Sequence, residues 1–368
     1  RSGLARATGA DIWNINSGES VALEYSRYNY HGTLFYAPDQ YRSSDHDPVL
    51  LGLINEQGPQ PLTSVLADIT TAYSGGRYIN TVYVGPGPEP TTGRDDPSKE
   101  STLGNLVANF LVTTLSPAKQ GGAGIGVINP GALDGELLLE PDGVVTDAEA
   151  AAVLPDTSTL RTLSLTGAQF TALLEEQWRP DGSFLALGLS ENVTYTYDST
   201  AAAGARVTSV AIDDTTVDPA ATYRIGTTSY LASGGDGFDV LAQGSAVQDT
   251  GLRAQQTWLD YLGTRYGLEA NYARQGVEIS DLPTLVAVGG TLDFTVSNLD
   301  LTSLGSPQNT RMAVNVDGAR IVQVAVSGGA ASVSVSLPGW VGPGAHVLTL
   351  RAKPSGTLVT IPLVVRAP

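Results

Sequence analysis

The chain has 368 residues, 42% of them hydrophobic and only 15% charged, which supplies apolar material for two or three packed domains and argues against wholesale disorder. It holds no cysteine, which excludes disulfides and thiolate metal sites. Its formal net charge of −17 repels a nucleic-acid backbone at long range, so polynucleotide contact would need a local basic patch or bridging metal ions, and the sequence shows no strong patch of that kind.

In chain order, the first block covers residues 1–55. Apolar stretches at 21–25 and 49–53 predict two strands flanking a tyrosine-rich loop, too little for a domain by itself. A polar linker follows at 56–63. The second block, 64–282, mixes periods. Leu103, Leu106, Val107, Phe110 and Leu111 share one helical face; Phe170, Leu173, Leu174 and Trp178 share another, with Thr166 as N-cap; Trp258, Leu259 and Leu262 mark a third helix. Strands are expected at 78–84, 124–128, 161–165, 192–197, 206–212 and 223–228, which gives an α+β domain with a mixed sheet carrying helices. The third block, 283–368, alternates apolar and polar residues at 291–296, 311–316, 319–326, 331–337 and 346–350. Asp317-Gly318 and Gly328-Gly329 are hairpin turn pairs. About seven short strands and no helix predict an all-β immunoglobulin-like sandwich, a spacer or adhesion module in which His346 reads as a plain surface residue. No apolar run reaches the length of a membrane span, and both chain ends read as processing boundaries.

Gly234-Gly235-Asp236-Gly237-Phe238 follows the strand at 223–228. Its glycines admit a ligand close to the backbone, and the Asp236 carboxylate can accept from two hydroxyls, as on a sugar diol; a tight turn with an exposed aspartate accounts for the same residues. Glu100-Ser101-Thr102-Leu103-Gly104-Asn105 opens a helix, Asn129-Pro130-Gly131-Ala132 follows a buried strand, and Tyr223-Arg224-Ile225-Gly226-Thr227 leads to Tyr230-Leu231-Ala232-Ser233 and the glycine loop. In this order and spacing, over some 220 residues of the sequence, the motifs resemble the C-terminal domain of 5'-nucleotidases. The resemblance implies that this domain binds a nucleotide or nucleoside while a separate two-metal domain cleaves the phosphate. Tyr230 would stack on the base and Asp236 would hold the ribose hydroxyls. Gly234, Gly235, Phe238 and Asn129 would complete the pocket, and Arg94 matches an arginine upstream of the Glu-Ser motif. The sequence departs from the family at Pro130-Gly131-Ala132-Leu133, which lacks an arginine, at Pro155-Asp156-Thr157-Ser158, which lacks the second stacking phenylalanine, and at Asn109, where an aspartate is frequent.

In the first block, Tyr41-Arg42-Ser43-Ser44-Asp45-His46-Asp47-Pro48-Val49 resembles the closing motif of the endonuclease/exonuclease/phosphatase family. There Asp45 would help hold a divalent metal (magnesium, manganese or calcium) and His46 would orient or deprotonate the attacking water. The family's other metal ligands are absent from the chain, so both residues read as remnants of a catalytic site that the intact parent would complete, and no cofactor is assigned to this chain by itself. The expectation is therefore a C-terminal part of a secreted or cell-surface bacterial nuclease/5'-nucleotidase-type phosphoesterase whose nuclease portion is missing. The alternative is a non-catalytic surface or interaction module with a degenerate nucleotide pocket.

Overall fold

The computed structural model describes residues 6–12, 49–54, 65–75, 78–79, 82–83, 96–139 and 143–367. Two units divide the chain, Arg1–Ser64 and Val65–Pro368. In the first, β1 (Arg6–Ile12) pairs antiparallel with β2 (Val49–Ile54), Ile12 opposite Val49. The stretch at 21–25 and the linker 56–63 lie outside the described residues.

The second unit opens with β3 (Val65–Asp68), the short hairpin β4 (Tyr78–Ile79) and β5 (Val82–Tyr83), and helix α1 (Thr102–Leu115). Apolar side chains at positions 103, 106, 107, 110 and 111 bury the helix, and Ser101 caps it by accepting from the Gly104 amide at 3.0 Å. Next come β6 (Ile125–Ile128), β7 (Val144–Thr146), which pairs with β3, α2 (Asp147–Val153), β8 (Thr159–Thr166) and α3 (Gly167–Glu175). Thr166 and Gln169 form a reciprocal capping box on α3. The expected helix to Trp178 stops earlier: Gln177 turns back to donate to the Leu174 carbonyl, and Trp178 bridges to Phe184 instead, its ring edge-on to Phe184 and Tyr197.

The chain continues through β9 (Gly188–Leu189), β10 (Val193–Tyr197), β11 (Val207–Ile212), β12 (Thr215–Thr216), β13 (Thr222–Thr228), α4 (Asp239–Ala242), β14 (Ser245–Arg253), α5 (Ala254–Leu262) and β15 (Gly276–Ser280). Five strands form a mixed sheet in the order β14-β8-β13-β6-β9, with β13 and β6 parallel. Helix α1 lies so close to β6 that a Cβ on Gly126 would stand 1.9 Å from the Ala108 carbonyl oxygen, so only glycine fits there. One apolar cluster joins α1, α2 and α5 around Phe110 and Trp258; another joins α3 to the sheet around Phe170 and Phe238.

The remaining strands are β16 (Leu285–Ala287), β17 (Thr291–Ser297), β18 (Arg311–Val316), β19 (Ala319–Ala325), β20 (Ala331–Ser336), β21 (Gly344–Lys353) and β22 (Leu358–Arg366). Inward residues alternate along β17 (Leu292, Phe294, Val296) and β18 (Met312, Val314, Val316) and share one core with Leu348, Leu350 and Ile361. The strand order is β16-β22-β21-β18-β19 in one sheet and β12-β11-β10-β15-β17-β20 in the other. The second sheet therefore runs across position 283: β15 pairs antiparallel with β17, Glu278 opposite Ser297. Left-handed backbone at Asp213-Asp214, Asp317-Gly318 and Gly328-Gly329 places all three pairs in the turns their chemistry suggests. Among the described residues no helix is long and apolar enough to cross a membrane.

Candidate functional site

Four chain segments meet at one end of the mixed sheet. Parallel β6 and β13 are in register at Ile125/Ile225, so their C-terminal ends point the same way and deliver Asn129 and the segment from Tyr230 to Phe238 side by side. The antiparallel neighbour β8 starts at that end, just after Pro155-Asp156-Thr157-Ser158, because Thr228 stands opposite Leu160. β14 finishes there too, with Arg253 opposite Thr159. A cleft of about 680 Å³ lies between these segments, within the size range of small-molecule sites.

Asp236 occupies the centre. Its backbone is left-handed, at φ 54° and ψ 22°, and projects the carboxylate toward Asn129. Asn129 Nδ2 donates to Asp236 Oδ2 at 2.6 Å, and the Tyr230 hydroxyl donates to Oδ1 at 2.7 Å. Each carboxylate oxygen retains a second acceptor position, enough for two vicinal hydroxyls arriving together. Donation to Asp236 also holds the Tyr230 hydroxyl pKa above its ordinary value. The other amide atom of Asn129, Oδ1, is buried, in a residue only 2% exposed, and has no hydrogen-bond partner among the described residues. A buried acceptor of this kind is costly unless something donates to it.

Tyr230 is 50% exposed, with one ring face against Gly235, where a Cβ would approach ring carbons to 2.4 Å, so glycine is required beneath the ring. Gly234, at φ 87°, turns the chain into the loop. Phe238, expected in the pocket, is fully buried in the α3 core instead, because the loop's last turn directs its ring inward under Arg179 at 4.1 Å. Arg179 clamps the loop by donating to the carbonyls of Asp236 and Gly237. Its pKa is lowered, chiefly by burial. Across the cleft, each Asp156 oxygen accepts from Ser158, one from its amide at 2.7 Å and the other from its hydroxyl at 2.6 Å, so this wall is a hydrogen-bonded turn with no aromatic face. Arg253 is the single cation lining the cleft among the described residues; it donates to the Thr157 carbonyl at 2.9 Å.

Thus Asn129, Gly235, Tyr230 and Asp236 come together, with Gly234 shaping the loop. Arg94, Asp45 and His46 lie outside the described residues. Arg253 and Arg179 escaped the sequence reading; the alternating stretch now seen as β14 was the available signal for the first. No group of three or more acidic or histidine side chains among the described residues is placed to hold a metal ion.

Glu100 of the Glu-Ser motif serves a different purpose. It is buried, accepts from the amides of Gln275 at 2.8 Å and Gly276 at 3.1 Å and from Asn105 Nδ2 at 3.1 Å, and faces Arg274 at 3.7 Å. It joins the start of α1 to the start of β15.

Residues 79–243 match the family described as 5'-nucleotidase, C-terminal domain. The trifunctional nucleotide phosphoesterase protein YfkN of Bacillus subtilis (strain 168) is 30% identical over 163 residues, covering 42% of this chain and 11% of that protein. A 5'-nucleotidase precursor structure from Thermus thermophilus aligns with TM-score 0.46 and 27% identity, over 58% of this chain and 39% of that one. The NAD nucleotidase structure from Haemophilus influenzae aligns with TM-score 0.43 and 20% identity, over 56% and 37% respectively. The chain thus spans well under half of each of these proteins, and its residues 79–243 are related to the C-terminal domains of 5'-nucleotidases.

Proposed function

We propose that the cleft at the end of the mixed sheet binds the nucleoside portion of a nucleotide, and that this chain serves a nucleotide phosphoesterase by holding substrate while cleavage takes place elsewhere. The observation that carries the reading is Asp236: its carboxylate is oriented by Asn129 and Tyr230 yet keeps one free acceptor position on each oxygen. A ribose diol fills both. The half-exposed ring of Tyr230 offers a stacking face, a contact of about 1–3 kcal/mol per base. The buried, unpartnered Oδ1 of Asn129 is an acceptor for a ligand hydroxyl or amine. The family match of residues 79–243 points to the same substrate class. We place this activity at a bacterial surface or outside the cell, with a divalent-metal centre beyond the described residues. The 1–55 segment would then be the tail of a nuclease domain and the last sheet pair an immunoglobulin-like spacer.

Calorimetric titration with adenosine and with AMP tests the reading. Adenosine should release heat of binding and bind more tightly than 2'-deoxyadenosine, and Asp236→Ala should abolish that difference. Tyr230→Ala should weaken both ligands by about tenfold, the equivalent of about 1.4 kcal/mol. Absence of heat at millimolar ligand would sink it. That result would favour the second reading, a surface module with a degenerate pocket, for which the aromatic-free wall at Asp156 speaks.

A further inference from the structure

We propose that the outer face of strands β18, β19 and β21 is a docking surface for the phosphodiester backbone of a polynucleotide. Arg311, Arg320, Arg351 and Lys353 line a shallow cavity of about 310 Å³ with Ala313 and Gln323, and no carboxylate lines it. The four cations are far apart in sequence, and the sheet register assembles them. Lys353 stands opposite Arg311, Arg351 opposite Ala313, and Arg320 opposite Asn315. Their alternation partners Met312, Val314, Leu350 and Ala352 fill the core, which commits the charged residues to the outer side.

The sheet has no internal reason for this arrangement. Like charges directly opposite one another weaken a strand pair, and Arg311 and Lys353 are such a pair. No carboxylate forms an ion pair with any of the four among the described residues; Arg320 meets only the Gln323 amide oxygen, at 3.3 Å. Protection of an open sheet edge by charge accounts for Arg320 on the edge strand β19, but β18 and β21 are interior strands.

The chain has 20 basic against 37 acidic residues, so a cavity lined by four bases and no acid departs from the background, and only Arg351 of the four also borders a cavity lined by carboxylates, Glu191, Asp214 and Glu269. At physiological salt the Debye length is about 8 Å, so remote acids are largely screened. The sheet lattice sets the Cα atoms of Arg311, Lys353 and Arg351 about 5–7 Å from a neighbour, with Arg320 one strand further out. Such a row suits a repeating anion better than a single one. No aromatic lines the cavity, so contact would be to phosphates and indifferent to base sequence. This face contributes no residue to the nucleoside cleft, and the inference stands independently of that cleft.

The test is fluorescence anisotropy of a labelled single-stranded oligonucleotide of about 20 residues, titrated with the full chain at several salt concentrations. Four phosphate contacts predict a log–log salt slope of about −3, which is about a 50-fold loss of affinity between about 50 and 200 mM salt. Arg311→Gln combined with Arg351→Gln should halve the slope while far-ultraviolet circular dichroism stays unchanged. Saturating adenosine should leave oligonucleotide binding intact, which separates this proposal from the cleft reading. The proposal is overturned by no binding at about 50 mM salt, by binding insensitive to the double substitution, by equal competition from polyglutamate, or by displacement with inorganic phosphate at the same total charge, which would mark a site for free phosphate.

Discussion

At the residue scale, two exposed carboxylates, Asp236 and Asp317, do different work. Asp236 is held by neutral donors and left with spare acceptor capacity, as a binding group requires. Asp317 instead braces a turn: one oxygen accepts from the Val347 amide and the other pairs with His346 Nδ1 at 2.6 Å, while His346 Nε2 meets the Gly342 carbonyl at 2.9 Å. His346 is therefore no plain surface residue; it clamps the Asp317-Gly318 turn to the start of β21. The hydrogen bond to Asp317 raises the His346 pKa and lowers that of Asp317. The raised histidine contributes stability that is complete below its unfolded pKa and disappears as pH rises through the folded value. The lowered aspartate contributes stability above its unfolded pKa that disappears as pH falls through the folded one. The pair thus stabilises most between those limits. Urea midpoints of wild type and His346→Gln should differ most near about pH 5.5 and converge by about pH 9. A constant difference across that range would contradict the charged pair.

At the element scale, the structure depends on how α1 meets the sheet. Glycine at 126 lets the helix touch β6, and Glu100 fastens the helix start to β15. Arg274 opposite Glu100 is itself buried and donates to the carbonyls of Gly276 and Asp300. Glu100→Ala would leave two backbone amides and Asn105 Nδ2 without their acceptor and the buried Arg274 guanidinium without its counter-charge. Breaking a buried pair in this way costs about 3–5 kcal/mol, so the variant should unfold at markedly lower denaturant, while Glu100→Gln, which keeps one acceptor oxygen, should lose less. Equal stability of Glu100→Ala and wild type would show that the latch is idle.

For the whole molecule, the six-stranded sheet is the decisive feature of the second unit. Because β10, β15, β17 and β20 are neighbours in it, backbone hydrogen bonds run without a break from the nucleotidase-like residues into the last β-strands. The two parts should open together. Phe294→Ala, which empties a core position beneath β17, should cost about 3–5 kcal/mol. Native-state hydrogen exchange should then speed up in β10 as well as in β17. Faster exchange confined to residues 283–368 would show two independent modules.

The sequence by itself determined the local chemistry. Period 3.6 at Leu103, Leu106, Val107, Phe110 and Leu111 made one helix, Thr166 capped another, and Asp317-Gly318 made a hairpin, since each depends on residues a few positions apart. Motif order also pointed to the family that residues 79–243 match. Only the tertiary structure decided what those elements bring together. Arg253 enters the cleft because β14 runs beside β8, and Phe238 leaves it because a left-handed turn points the ring into the core. Four scattered cations become one face because strand register aligns them. Adjacency across a sheet is set by hydrogen-bonded partners tens to hundreds of residues away, and no local pattern of side chains encodes which strands will pair.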